Sequence, residues 1–147
     1  MRALVVLSFL LLALPLLADD PVQVASGKAD GNSFSFTLSK TEIEAAPRWG
    51  SDSEHHAVSP QRAIDIARNQ LKIFVADGDK WRRDDICLLD LGGDRWIYVV
   101  RFGREYPPTT AVYGGEYLEI PVLMNGSTVK PKVVYDERLK MRGASPK

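Results

Sequence analysis

The stretch that most limits what this chain can fold into is residues 59–102. It opens with Ser59-Pro60 and runs into a periodic apolar segment. The Ser59 hydroxyl can accept from the free N–H groups of a first helical turn. Pro60 then falls at the first helical position, where its missing donor costs nothing. At about 3.6 residues per turn, Ala63, Ile64, Ala67, Leu71, Phe74 and Val75 share one face, and Arg62, Asp65, Arg68, Gln70 and Lys72 fall mostly away from it. A stripe of that width needs a sheet to lie on. Ile66 and Ile73 form a smaller apolar pair on nearly the opposite side, expected to meet another segment or a partner. Asp77-Gly78-Asp79 reads as the stop, with Gly78 at positive φ.

The following residues supply the sheet. Residues 86–91 are short and apolar, Gly92-Gly93-Asp94 is a turn, and residues 95–102 are aromatic and β-branched. Trp96, Tyr98, Val100 and Phe102 alternate with Ile97, Val99 and Arg101, so both faces are largely apolar and a central strand is expected. The helix stripe is expected to meet Trp96, Tyr98 and Val100. Upstream, residues 33–39 alternate strictly and read as a half-buried strand. Residues 40–43 would continue it, with Ile43 out of parity at a bulge or strand end. Residues 45–58 read as a loop. Downstream, residues 117–124 are again extended, and Pro121 favours an edge or a bulge. Asn125-Gly126 signals a two-residue hairpin, from which residues 127–135 return as a strand interrupted by Pro131. The expected fold class is α+β, with one amphipathic helix packed on an antiparallel sheet of four to five strands. The expected division is a signal peptide at 1–18, a flexible lead-in at 19–32, a single domain at 33–135 and a flexible tail at 136–147.

The N-terminus has the order of a secretory signal: Arg2, an apolar run to Leu17, then Ala18 before Asp19-Asp20. The run is too short for a typical membrane span. The expected location is therefore extracytoplasmic, periplasmic or secreted, with no span after cleavage. The formal net charge is 0. Removing residues 1–18, whose one charged residue is Arg2, takes it to −1, which gives no general attraction to nucleic acid or an anionic membrane. Cys87 is the only cysteine, so an intramolecular disulfide and a thiolate zinc site within one chain are excluded. It is expected to be a small buried hydrophobe.

Candidate chemistry is sparse. Glu54-His55-His56 lacks a third ligand at diagnostic spacing and reads as a solvated loop. Asp84, Asp85, Asp90 and Asp94 lack the glycine and bidentate glutamate of an EF-hand loop and read as turn and strand-start acids. Trp81-Arg82-Arg83 reads as a helix–strand corner. Asn125-Gly126-Ser127 is both a glycosylation sequon and a hairpin turn. No G-x-S-x-G, Walker or H-E-x-x-H motif is present, and no cofactor or metal is implied. The remaining feature is residues 106–117, with Tyr106, Tyr113 and Tyr117 among two prolines and two glycines. Tyrosine gives large contact area at low entropic cost, and long connections in compact domains are often functional. These three tyrosines are the expected partner-binding residues, set against the plainer reading that they fold back to cap the sheet.

Ser59-Pro60 with Ala63, Ile64, Ile66, Ala67 and Leu71, then residues 96–100 and the final strand–turn–strand, resembles PepSY-like domains over roughly residues 59–134. The resemblance implies a small extracytoplasmic domain of cystatin-like α+β build that binds or inhibits partners, in some cases peptidases. It carries no chemically specific residue, and the tyrosine- and proline-rich connection and the N-terminal strand depart from the pattern. The expected function is a binding module with a protein or peptide partner, and not an enzyme. The alternatives are a small enzyme with a site in the helix–sheet cleft, or a structural subunit of an envelope assembly docking through Ile66 and Ile73.

Overall fold

The computed structural model describes residues 20–49, 57–106 and 115–135. Among these residues, six strands form one antiparallel sheet: β1 (Val22–Ala29), β2 (Asn32–Leu38), β3 (Trp81–Gly92), β4 (Arg95–Arg104), β5 (Tyr117–Leu123) and β6 (Pro131–Tyr135), in the order β3-β4-β5-β1-β2-β6. A short helix α1 (Lys40–Ala45) and a long helix α2 (Pro60–Phe74) separate β2 from β3. The α+β class holds, with more strands than the four to five expected.

The extra strand is β1, which occupies the stretch expected to be a flexible lead-in. Asp30-Gly31 makes it possible. Both residues have positive φ, 50° and 77°, which is the geometry of a two-residue hairpin turn. The turn lays β1 antiparallel on β2, and Val24, Ala25 and Ala29 become buried. β1 then joins β5 through just two residue pairs, Gly27↔Leu118 and Lys28↔Tyr117. Gly27 permits this close approach. A Cβ there would lie 2.6 Å from both Leu118 Cδ1 and Tyr117 O.

Helix α2 begins as its sequence requires. Ser59 Oγ accepts from the Arg62 N–H at 3.2 Å, with Pro60 at the first position. Ala63, Ile64, Ala67 and Leu71 are buried. Leu71 has no solvent exposure, and burying a leucine contributes about 1.5–3 kcal/mol. The Arg68 guanidinium lies 5.4 Å from the Phe102 ring centroid, and Phe74 packs on Phe34 and Phe36 at 5.8 and 6.1 Å. The layer beneath is Phe36, Val100, Phe102, Leu118, Ile120 and Val122, all fully buried. The helix stops at Phe74 rather than at Gly78. Gly78 instead opens a 3₁₀ turn, without positive φ, with Lys72 packed close to it.

Several local expectations are corrected. Residues 40–45 form α1 and do not prolong β2. Ser39 and Glu42 make a reciprocal capping box, with Ser39 N donating to Glu42 Oε2 at 2.8 Å and Glu42 N to Ser39 Oγ at 3.2 Å. The backbone and hydroxyl bonds from Ser39 hold the Glu42 carboxyl below its usual range. Residues 125–126 do turn the chain, with Leu123 N donating to Ser127 O at 2.8 Å. The hairpin does not continue, because β6 pairs with β2 at the far edge of the sheet. Pro121 is not on an edge strand. It pairs with Val99 of β4, past the last residue that β5 shares with β1. Cys87 is exposed, because β3 is an edge strand and longer than residues 86–91. Of the pair Ile66 and Ile73, Ile66 packs partly on the core and Ile73 stays 71 % exposed. Among the described residues, no helix is long and apolar enough to cross a membrane.

Candidate functional site

The end of the sheet where β4 stops and β5 starts is held by one arginine. Arg104 is the last residue of β4, and its side chain reaches three segments that the fold brings there. Nη1 donates to Glu116 Oε2 at 2.6 Å and to Asp30 Oδ1 at 3.0 Å, and Nη2 donates to Asp77 Oδ2 at 2.6 Å. Asp30 comes from the β1–β2 turn, Asp77 from the link after α2, and Glu116 from the residue before β5. The four side chains are between 24 % and 32 % exposed, so these ion pairs are less screened than surface ones.

Backbone groups complete the tie. Asp30 N donates to Glu116 Oε1 at 2.7 Å, and Arg104 N donates to Glu116 O at 3.1 Å. The Glu116 hydrogen bond is the largest cause raising the Arg104 pKa; partial burial opposes it, and the Glu116 charge and the Asp77 carboxylate add to the rise. Partial burial pushes the Asp77 carboxyl up, but Arg104, the Trp81 indole and Lys80 outweigh it and hold it below its ordinary value. Trp81 Nε1 and Asp77 Oδ1 are both buried and form no hydrogen bond of normal geometry.

Tyr106 and Tyr117 stand on either side of this tie. The Tyr106 hydroxyl donates to Glu116 Oε2 at 3.0 Å and accepts from Glu116 N at 3.4 Å. Burial, and then the Glu116 carboxylate, raise the phenol's pKa, while the Glu116 N–H and Arg104 oppose them. Tyr106 therefore closes the base of the β4–β5 connection. Tyr117 is the first residue of β5, directly opposite Gly103. Its ring carries the Arg101 guanidinium at 4.6 Å, a cation–π contact. Tyr113 lies outside the described residues, as do Glu54, His55 and His56.

Beside these residues is an open recess of about 550 Å³, whose lining includes Arg82, Asp84, Arg101, Gly103, Glu105 and Tyr106. The missing side chain at Gly103 lets the Asp84 carboxylate lie against it, and a Cβ there would make Asp84 shift. The guanidinium of Arg101 meets Glu119 only at 3.9 Å, and that of Arg82 meets Glu105 only at 3.8 Å. Neither contact is a hydrogen bond. Both arginines thus face the recess with donors unspent, whereas both terminal nitrogens of Arg104 are bonded to carboxylates.

Among the described residues, no group of three or more His, Cys, Asp or Glu is placed to hold a metal ion. Asp84 and Asp85 lie at a bulge of β3, and Asp90 accepts from Gly92 N at 2.7 Å at the β3–β4 turn. The sequence reasoning named two of the residues at this site, Tyr106 and Tyr117, and missed the charged ones. Arg104, Asp30, Asp77 and Glu116 are far apart in sequence, and no local motif links them. No protein-family model, curated protein or solved structure matches the chain.

Proposed function

We propose that this protein is a small extracytoplasmic binding module that engages a protein or peptide partner at the β4–β5 end of its sheet. The observation that carries the reading is the pairing of Arg101 with Tyr117 beside the recess. It is an oriented guanidinium on an aromatic face, at the mouth of an open depression, with its hydrogen-bonding capacity unspent. Arginine and tyrosine are over-represented among the residues that dominate binding energy at interfaces. The tie around Arg104 supports the reading, because a contact surface held by a rigid frame loses less entropy on binding. The secretory N-terminus supports the location, and the PepSY-like pattern of helix and strands supports a cystatin-like module that binds or inhibits partners.

The test is affinity capture from the native extracytoplasmic fraction, comparing wild type with Tyr117→Ala and Arg101→Ala. The reading expects one stoichiometric partner whose recovery falls at least about tenfold in both variants, the loss expected of a strong interface residue. A stoichiometric partner recovered equally by all three proteins would move the contact surface elsewhere.

A further inference from the structure

We infer that the recess over Gly103 accepts a small zwitterion of the amino-acid or short-peptide class. The inference rests on the reading that this end of the sheet is a binding surface, and it names the chemistry that fits there.

The charges around the opening set the ligand class. Arg104 and Glu116 also line the recess, but they are spent on each other at 2.6 Å. Four charged residues remain on its wall: Arg82, Arg101, Asp84 and Glu105. The Arg82–Glu105 contact is 3.8 Å, and the nearest acid to Arg101 is Glu119 at 3.9 Å. Asp84 forms no hydrogen bond or ion pair among the described residues. Two cations and two anions therefore face one opening without strong partners. A purely anionic or purely cationic ligand would be repelled by one pair. A dipolar ligand satisfies both.

Position supports the same assignment. Tyr117 holds the Arg101 guanidinium at 4.6 Å and so fixes its orientation. Such a planar fork matches a carboxylate. Asp84 lies against the backbone of Gly103, leaving its carboxylate available to an ammonium group. A volume of about 550 Å³ is within the range of small-ligand sites.

The experiment is an amide chemical-shift titration of the ¹⁵N-labelled protein, in the form its host exports, with the dipeptide alanyl-alanine. N-acetyl-alanyl-alanine, which lacks the ammonium, and alanyl-alanine amide, which lacks the carboxylate, are titrated in parallel. The inference expects saturable shifts at Gly103, Glu105 and Gly115 with Kd about 1 mM, and binding at least about tenfold weaker for each blocked peptide. Asp84→Asn and Arg101→Gln should each weaken alanyl-alanine by a similar factor, while the signals of β6 stay in place. No saturable shift with alanyl-alanine, or equal titration by the blocked peptides, would overturn it. Neither result bears on partner capture through Tyr117, so the two readings can fail separately.

Discussion

Replacing Arg104 with glutamine is predicted to destabilise the protein by about 2–4 kcal/mol. Glutamine keeps much of the stem but removes the charge and the fork. The structure sets the magnitude. Three charge-assisted bonds, at 2.6, 2.6 and 3.0 Å, are lost together. A hydrogen bond to a charged group is worth roughly 1.5–3 kcal/mol, and the cost rises when a partly buried ion is left unpaired. The three losses do not add, because they share one guanidinium, and the side chains keep about a quarter of their exposure. Both considerations pull the sum down to the stated range. Denaturant unfolding followed by tryptophan fluorescence measures it, and Trp81, buried next to Asp77, is a local reporter.

The pH dependence adds a second check. The folded Asp77 carboxyl titrates below its ordinary value of 3.8, mainly because Arg104 pairs with it. A depressed folded pKa stabilises fully above the unfolded value and loses that effect as pH falls through the folded one. The gap between wild type and Arg104→Gln should therefore be widest at neutral pH and narrow below about pH 4. A loss under about 0.5 kcal/mol, the size of an exposed ion pair, would refute the reasoning. So would a gap that stays constant on acidification.

Three further predictions follow from other parts of the fold. Gly27→Val should cost about 1–3 kcal/mol by denaturant unfolding, because its side chain must displace Leu118 and the Tyr117 carbonyl at the two-pair seam between β1 and β5. Ser59→Ala should cost about 1 kcal/mol in the same assay, since it removes the acceptor for the Arg62 N–H at the start of α2. Cys87 should react slowly with iodoacetamide for so exposed a thiol, because partial burial and then Asp85 and Glu119 raise its pKa. The rate should climb with pH beyond the range of an ordinary cysteine, and Asp85→Asn should speed it near neutrality.

Much of the helix and the β3–β4 pair was legible because their signals are local. Ser59-Pro60, the stripe through Leu71 and the run from Trp96 to Phe102 each speak for one element. Two equally local signals are obscured by their polar surroundings. Asp30-Gly31 announces the β1–β2 hairpin, and Ser39 with Glu42 announces α1. In both cases a polar composition hides the turn or cap chemistry. Strand partnership was not legible. Asn125-Gly126 makes its turn, but whether β6 then pairs with β5 or β2 depends on where the unpaired edge of β2 lies in space. The site divides the same way. Tyrosine-rich composition pointed to Tyr106 and Tyr117. The network around Arg104 spans 74 residues between Asp30 and Arg104, and only the folded sheet assembles it. The exposure of Cys87 is hidden for a related reason, since an apolar strand does not reveal that it lies on an edge.

The most direct test of the central claim is site-specific photo-cross-linking in the native compartment. Benzoylphenylalanine is placed at position 117, beside the recess, and in a second protein at position 134, an exposed site on the opposite edge of the sheet. The account predicts a cross-link to one defined partner from position 117 and none to that partner from position 134. The same adduct from both positions, or from position 134 alone, would contradict it.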